Sequence, residues 1–239
     1  MDTTNTNYYY MMRDEIDSID NPEIRRFANT LLNRVPDYFF KVPASSSGKY
    51  HPKNDLGEGG LVRHSISVKR MLVHLLELDC YSFSDDEKDL LIVAALFHDC
   101  MKSGTQEEYK KNNRTKFLHP VLAANFIITT SVIDGFKYDW ALYIADAVIS
   151  HMGQWNTNKS EDGELPVPVN PAQRILHLAD YLVSRKDINM VLREDDEIID
   201  NEVIVTQDDN KDEPGDVPEH KENGEDTKTA PGTTMEMSD

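Results

Sequence analysis

Cysteine is almost missing from this chain: Cys80 and Cys100 are the only two, well separated and with no CxxC pair. That scarcity excludes a disulfide scaffold and fits a reducing, cytoplasmic setting, with Cys100 expected as a buried structural thiol. Long apolar runs are missing as well. None approaches the roughly 20 residues needed to span a bilayer. Tyr8-Tyr9-Tyr10-Met11-Met12 is too short for a secretory leader and runs straight into Arg13-Asp14-Glu15. A soluble chain with no membrane partner is expected, its oligomeric state left open. Positive charge is scarce, with 25 Lys and Arg against 43 Asp and Glu. The shortage is local, however. Residues 194–239 hold 17 acidic residues and three lysines, so the first 193 carry only about −4 of the net −18. The pI of 4.7 and mean hydropathy of −0.56 therefore belong largely to a tail, and they exclude neither a nucleotide nor a nucleic acid as ligand.

Convincing strand alternation is also absent from the body, whereas helical periodicity recurs. Residues 1–20 are polar and expected to be a flexible N-terminus. Asn21-Pro22-Glu23 reads as a cap, a proline at the first helical position and a first-turn acid, opening a helix with Ile24, Phe27, Ala28, Leu31 and Leu32 on one face. A glycine- and serine-rich loop over 43–60 leads to a second helix at His64. Asp85-Asp86-Glu87-Lys88 opens a third, apolar nearly all round from Leu90 to Phe97 and so expected in the middle of a domain. The polar stretch 103–118 reads as a flexible excursion. Further helices are expected from His119-Pro120, from Tyr138 to about His151 with Gly153 as its stop, and from Ala172 to about Arg185 with Asn170 as cap. Ile198-Ile199 and Val203-Ile204-Val205 read as a short strand or docking piece. Beyond Gln207 the chain has no aromatics and is expected to be a disordered acidic tail over 206–239. The fold class is all-α.

Four histidines and two aspartates lie on or beside these apolar segments: His64, His98, Asp99, His119, His151 and Asp180. Their gaps of 34, 1, 20, 32 and 29 residues suit one ligand from each of several converging helices, as helical bundles build metal sites. Neighbours on a helix point about 100° apart. His98 and Asp99 can thus face two metals only where the helix ends, and Lys102-Ser103-Gly104 supplies an end. A carboxylate can bridge two cations, which makes Asp99 the natural shared ligand. Imidazole with carboxylate favours two divalent transition metal ions from Mn, Fe, Co, Ni or Zn. Held about 3.5–4 Å apart, such ions activate a water between them and hold phosphoryl oxygens. The chemistry expected is metal-assisted hydrolysis of a phosphate ester.

The local contexts are Gly60-Leu61-Val62-Arg63-His64-Ser65, Leu96-Phe97-His98-Asp99-Cys100-Met101-Lys102, Ile149-Ser150-His151-Met152-Gly153 and His177-Leu178-Ala179-Asp180. In these the chain resembles the HD-domain metal-dependent phosphohydrolase superfamily in its two-metal form, over about Gly59 to Arg185. It is most similar to the HD domains of bacterial 3′–5′ exonucleases and of small phage and bacterial HD proteins. The resemblance implies an HD-type helical domain over 21–205. It also implies one metal on His64, His98, Asp99 and Asp180, and a second on Asp99, His119 and His151. Asp99 and Lys102 would be catalytic, Asp99 holding the attacking water and Lys102 meeting a substrate phosphate. Met101 stands where that family usually has glycine, and no pattern for the exonucleases' OB-type barrel precedes the domain.

Beside these residues, Arg63 and Arg185 bracket the series and read as phosphate clamps. Trp155 reads as a stacking surface for a base, and His177, one turn before Asp180, as a substrate contact or a core histidine. His51 stands near the glycine-rich loop and could line the pocket. His74 and His220 read as surface or structural. Lys102, Lys110, Lys111, Arg114 and Lys116 make the excursion either a basic flap over a polyphosphate or nucleic-acid backbone, or an ordinary solvated loop. The expected substrate is a nucleotide. The alternatives are 3′–5′ exonuclease action on the 3′ end of RNA or single-stranded DNA, and oxygen chemistry at a di-iron centre of the same superfamily.

Overall fold

The computed structural model describes residues 3–45, 48, 51–158, 163–188, 190 and 192. Among them the regular structure is helical: α1 (Thr3–Ile16), α2 (Pro22–Leu32), α3 (Gly60–Leu76), α4 (Asp85–Phe97), α5 (Gln106–Lys111), α6 (His119–Asp134), α7 (Tyr138–Ile149) and α8 (Pro171–Val183). Two short 3-10 turns, Asp37–Phe40 and Lys53–Asp55, lie between α2 and α3. The sole pairing of β type among the described residues is an isolated bridge between Thr157 and Glu164. The acidic tail over 206–239 and the apolar segments Ile198-Ile199 and Val203-Ile204-Val205 lie outside the described residues.

Helix starts are written locally in the chain. The Asn21 side chain accepts hydrogen bonds from the backbone N–H groups of Glu23 and Ile24, with Pro22 at the first position of α2. Ser84 with Glu87 and Asn170 with Gln173 form reciprocal capping boxes at α4 and α8. Every residue of α4 from Asp89 to Phe97 is buried, because the helix is enclosed by α2, α3, α7 and α8. Asp89, the charged exception, accepts from the backbone N–H groups of Asp20 and Asn21 and so fixes the turn into α2. Helix α6 packs along α7, and α3 packs against both α4 and α8. No helix among the described residues is long and apolar enough to cross a membrane.

Two segments differ from expectation. In place of a flexible N-terminus, Thr3–Ile16 form α1, and Met12, Ile16 and Ile19 are fully buried. Residues 8, 12 and 16 share one face of α1, and burying side chains of the size of Met12, Ile16 and Ile19 contributes about 1.5–3 kcal/mol each. Glu15 clamps the helix to α3 through Lys69 at 2.9 Å and Arg70 at 2.6 Å. The excursion 103–118 likewise is structured. It contains α5, opened by a capping box of Thr105 with Glu108. Tyr109 stacks on the buried Tyr38 ring at 4.6 Å. The Tyr38 hydroxyl donates to the Gly104 carbonyl at 2.6 Å and accepts from the Ser103 N–H at 3.2 Å. Burial raises the pKa of that phenol well above its ordinary value, so it stays a donor.

Candidate metal centre

Helix ends converge at one end of the bundle. His64 stands in the second turn of α3, His98 caps the C-terminus of α4 with Asp99 next, His119 opens α6, His151 follows α7, and Asp180 lies in the last turn of α8. His64, His98, Asp99, His119 and His151 are buried, and Asp180 keeps 18% of its side chain exposed. Antiparallel packing of successive helices sets these ends together, which is why residues far apart in the chain meet here.

His64 Nε2 lies 3.1 Å from Asp180 Oδ1, and His98 Nε2 lies 3.8 Å from the same oxygen. On the other side, Asp99 Oδ1 is 3.0 Å from His119 Nε2 and 3.5 Å from His151 Nε2. The two Nε2 atoms of His119 and His151 face each other at 3.2 Å. Asp99 Oδ2 turns toward His98 Nε2 at 3.7 Å and Lys102 Nζ at 2.6 Å. The two oxygens of one carboxylate thus point at the two halves of the cluster. The donor atoms of His64, His98 and Asp180 lie within ion-holding distance of one another, as do those of His98, Asp99 and His151.

The proton inventory decides what this cluster can hold. His98, His119 and His151 each place Nδ1 against a main-chain carbonyl three residues earlier, those of Ala95, Lys116 and Val148, at 2.8, 2.7 and 2.8 Å. A carbonyl only accepts, so each Nδ1 carries the proton and each neutral ring turns a lone pair inward at Nε2. His64 rests its Nδ1–H on Asp55 Oδ2 at 3.1 Å and meets Asp180 Oδ1 with its Nε2 at 3.1 Å. With their rings neutral, the Nε2 lone pairs of His98, His119 and His151 and the two carboxylates are acceptors facing one another, with His98 Nε2 buried and without a hydrogen-bond partner. Such a cluster is repulsive unless a cation or extra protons occupy it. The residues therefore fit divalent metal ions, which this structure does not contain.

Electrostatics point the same way. Burial would raise the Asp99 pKa, but Lys102, followed by His98 and His119, holds it well below the usual carboxylate range. Asp180 is likewise held far down, burial being outweighed by the hydrogen bond from His64 and the nearby imidazoles. Burial lowers His98 to about 4 and also lowers His119, keeping both neutral and able to ligate. Cys100, fully buried behind Asp99, has its thiol pushed well up by burial and then by that carboxylate, and acts as core.

The remaining expected residues divide. Trp155, His177 and Arg185 come together with Tyr181. The Trp155 and Tyr181 rings are nearly parallel, 14° apart with centroids at 5.7 Å. Arg185 sits 4.6 Å over the Tyr181 ring, and His177 Nδ1 donates to the His151 carbonyl at 2.7 Å. Gly153, at φ 58°, passes so close to His177 that a Cβ would lie 2.1 Å from its ring. Arg63 is different. Its guanidinium donates to the carbonyls of Asn54, Leu56 and Glu58 and to the Tyr8 hydroxyl, so it secures the glycine-rich loop and is not turned to a phosphate. Lys110, Lys111 and Arg114 are exposed, while Lys116 pairs with Glu108 at 3.1 Å.

Two residues escaped the sequence reading. Tyr181 had a visible signal, since His177 and Tyr181 are spaced i, i+4 on α8 and Arg185 follows two residues past its end. Asp55 had none: it is a loop aspartate, 1% exposed, whose meaning comes from His64 and His51 in space.

A family model described as HD domain matches residues 61–184, a span that holds all six of the converging histidines and aspartates. No curated protein and no solved structure matches the chain.

Proposed function

Since this chain belongs to the HD-domain family, a superfamily of metal-dependent hydrolases, we propose that it hydrolyses a phosphate ester of a nucleotide at a dinuclear metal centre. The observation that carries the reading is the buried acceptor cluster divided by Asp99, whose two oxygens face His119 and His151 on one side and His98 on the other. His64, His98, Asp99 and Asp180 would hold one divalent ion, and Asp99, His119 and His151 the second. When bound, the ions supply Lewis-acid charge and lower the pKa of a nucleophilic water.

The chain's own residues do the rest. Three main-chain carbonyls and one carboxylate fix every imidazole in the tautomer that ligates. Lys102 neutralises Asp99 and brings a cation to where negative charge grows on a phosphoryl oxygen. Tyr181, the residue after Asp180, stacks with Trp155 and lies under Arg185, an aromatic surface with a cation beside it. That pairing suits a base and its phosphates, and it favours a nucleotide over a plain phosphate ester. A second reading, 3′–5′ exonuclease action, draws on Lys110 and Lys111 at the end of α5 and Arg114 just after it, which are exposed and could follow a backbone.

The test is product release from a panel of ribo- and deoxynucleotides and 3′-labelled oligonucleotides, with Mn returned to chelated protein and Asp99→Ala in parallel. Mn-dependent release of phosphate or nucleoside that the variant lacks is expected. Mononucleotide product from oligonucleotides alone would favour the nuclease. A blank panel with metal bound, together with oxygen uptake by the iron form, would overturn hydrolysis.

A further inference from the structure

The four histidines of the centre are not supported alike. Three rest their Nδ1–H on neutral main-chain carbonyls three residues earlier, whereas His64 rests on the Asp55 carboxylate. Asp55 is held firmly for that purpose. Its N–H donates to the Pro52 carbonyl, and its own carbonyl accepts from Ala44. Gly60 lies so close that a Cβ there would stand 2.1 Å from the Asp55 carbonyl oxygen, so the loop is clasped against the first residue of α3. Arg63, the residue before His64, grips the carbonyls of Asn54 and Leu56 on either side of Asp55. The same Oδ2 also takes His51 Nδ1 at 3.1 Å.

A carboxylate behind an imidazole fixes its orientation and makes its other nitrogen a stronger donor than a carbonyl does. From this asymmetry we infer that Asp55 is a positioning residue that makes the His64, His98 and Asp180 position the tighter of two metal positions. The inference rests on the reading of the cluster as a metal centre, and it orders the two ions: the first enters beside His64, the second beside His119 and His151. His51, the other arm on Asp55, is not a ligand in this account. Its loss leaves the carboxylate's charge in place.

The experiment is titration of chelated full-length protein with Co(II), followed by visible absorption and calorimetry, for wild type, Asp55→Asn, Asp55→Glu and His51→Ala. Asp55→Asn keeps the shape and an acceptor for His64 but removes the charge. Wild type is expected to take two equivalents in unequal steps. Asp55→Asn should weaken the tighter step by about 10- to 100-fold and leave the weaker step where it was. Asp55→Glu should recover part of the loss, and His51→Ala should change neither step. Circular dichroism of each variant checks that it is folded. An unchanged tight step in folded Asp55→Asn, or a loss confined to the weaker step, would overturn the inference. Failure of wild type to bind Co(II) at all would instead overturn the metal-centre reading beneath it.

Discussion

Raising the pH should tighten metal binding, and one imidazole sets the slope. His64 lies between two carboxylates, Nδ1 3.1 Å from Asp55 and Nε2 3.1 Å from Asp180. Burial alone would lower its pKa, but the two carboxylates outweigh burial and raise it to about 10. Below that value the ring carries both protons, and a metal ion at Nε2 must expel one. One competing proton changes apparent affinity about tenfold, or 1.4 kcal/mol, per pH unit. His98 and His119 are lowered by burial and add nothing to the slope. His151 is raised, its contacts with Asp99 outweighing burial, and steepens the acid end.

The sign for stability runs opposite in the metal-free protein. A folded-state pKa raised above the unfolded value contributes stability that is complete below about pH 6.5 and is lost as the pH climbs through the folded value. Metal-free protein therefore loses this support across the same range in which metal gains affinity. From about pH 6.5 to 8.5 the metal-dependent gain grows by about 2.7 kcal/mol, a widening of about 5–11 °C between the Tm with and without Mn for a domain of this size. Calorimetric titration with Mn in two buffers of different ionisation enthalpy reads the proton directly, and melting curves read the gap. A dissociation constant independent of pH, with no proton released, would refute a doubly protonated His64 held between Asp55 and Asp180.

Lys102→Ala is predicted to lower kcat by about 10²–10³ with less effect on KM, since the ammonium acts on charge that develops in the reaction. Steady-state Mn-dependent hydrolysis checks it, and a variant with unchanged kcat would leave Lys102 a helix-terminal cation. Trp155→Ala should cost about 1–3 kcal/mol of base stacking and so raise KM for a nucleotide by about 5- to 150-fold. Hydrolysis of an alkyl phosphate should be spared, and equal losses on both substrates would assign the ring to packing. Arg63→Ala should lower folding stability by about 1.5–3 kcal/mol in urea melts, because charge-assisted hydrogen bonds to loop carbonyls are lost. A higher KM at unchanged stability would instead return Arg63 to a role in binding phosphate.

What could be read from the chain in advance was whatever depends on neighbours in sequence. The caps Asn21, Ser84 and Asn170, the prolines at helix starts and the apolar run of α4 placed six helices to within a turn. The six converging residues were legible because each sits at or near a helix end, and helix ends carry sequence marks. Helix α1 was hidden because its polar surface dominates its composition, while the few residues that bury it, Met12, Ile16 and Ile19, are sparse. The order of the 103–118 segment depends on Tyr38, some 65 residues away, whose hydroxyl closes on Ser103 and Gly104. The contacts of Arg63 were hidden for the same reason. An arginine beside a ligand looks like a phosphate clamp until the carbonyls it faces are seen. Asp55 shows the limit most clearly, since no local pattern marks a loop aspartate as the partner of a histidine nine residues on.

Charge balance links the number of metals to the substrate. Three carboxylates, Asp55, Asp99 and Asp180, face a single ammonium, Lys102, around imidazoles that are neutral when ligating. The protein groups alone thus leave two negative charges, which repel a phosphate. One divalent ion cancels them and leaves a neutral pocket with no pull on an anion. A second divalent ion makes the pocket doubly positive, the complement of a terminal phosphate dianion, in a buried site where such charges are weakly screened. We therefore predict that inorganic phosphate binds only after the second equivalent of metal. Calorimetric titration of phosphate into protein holding one and then two equivalents of Mn reads this directly. Equal phosphate affinity at both loadings would mean that the second ion is not what recruits the substrate, and the dinuclear reading would lose its electrostatic basis.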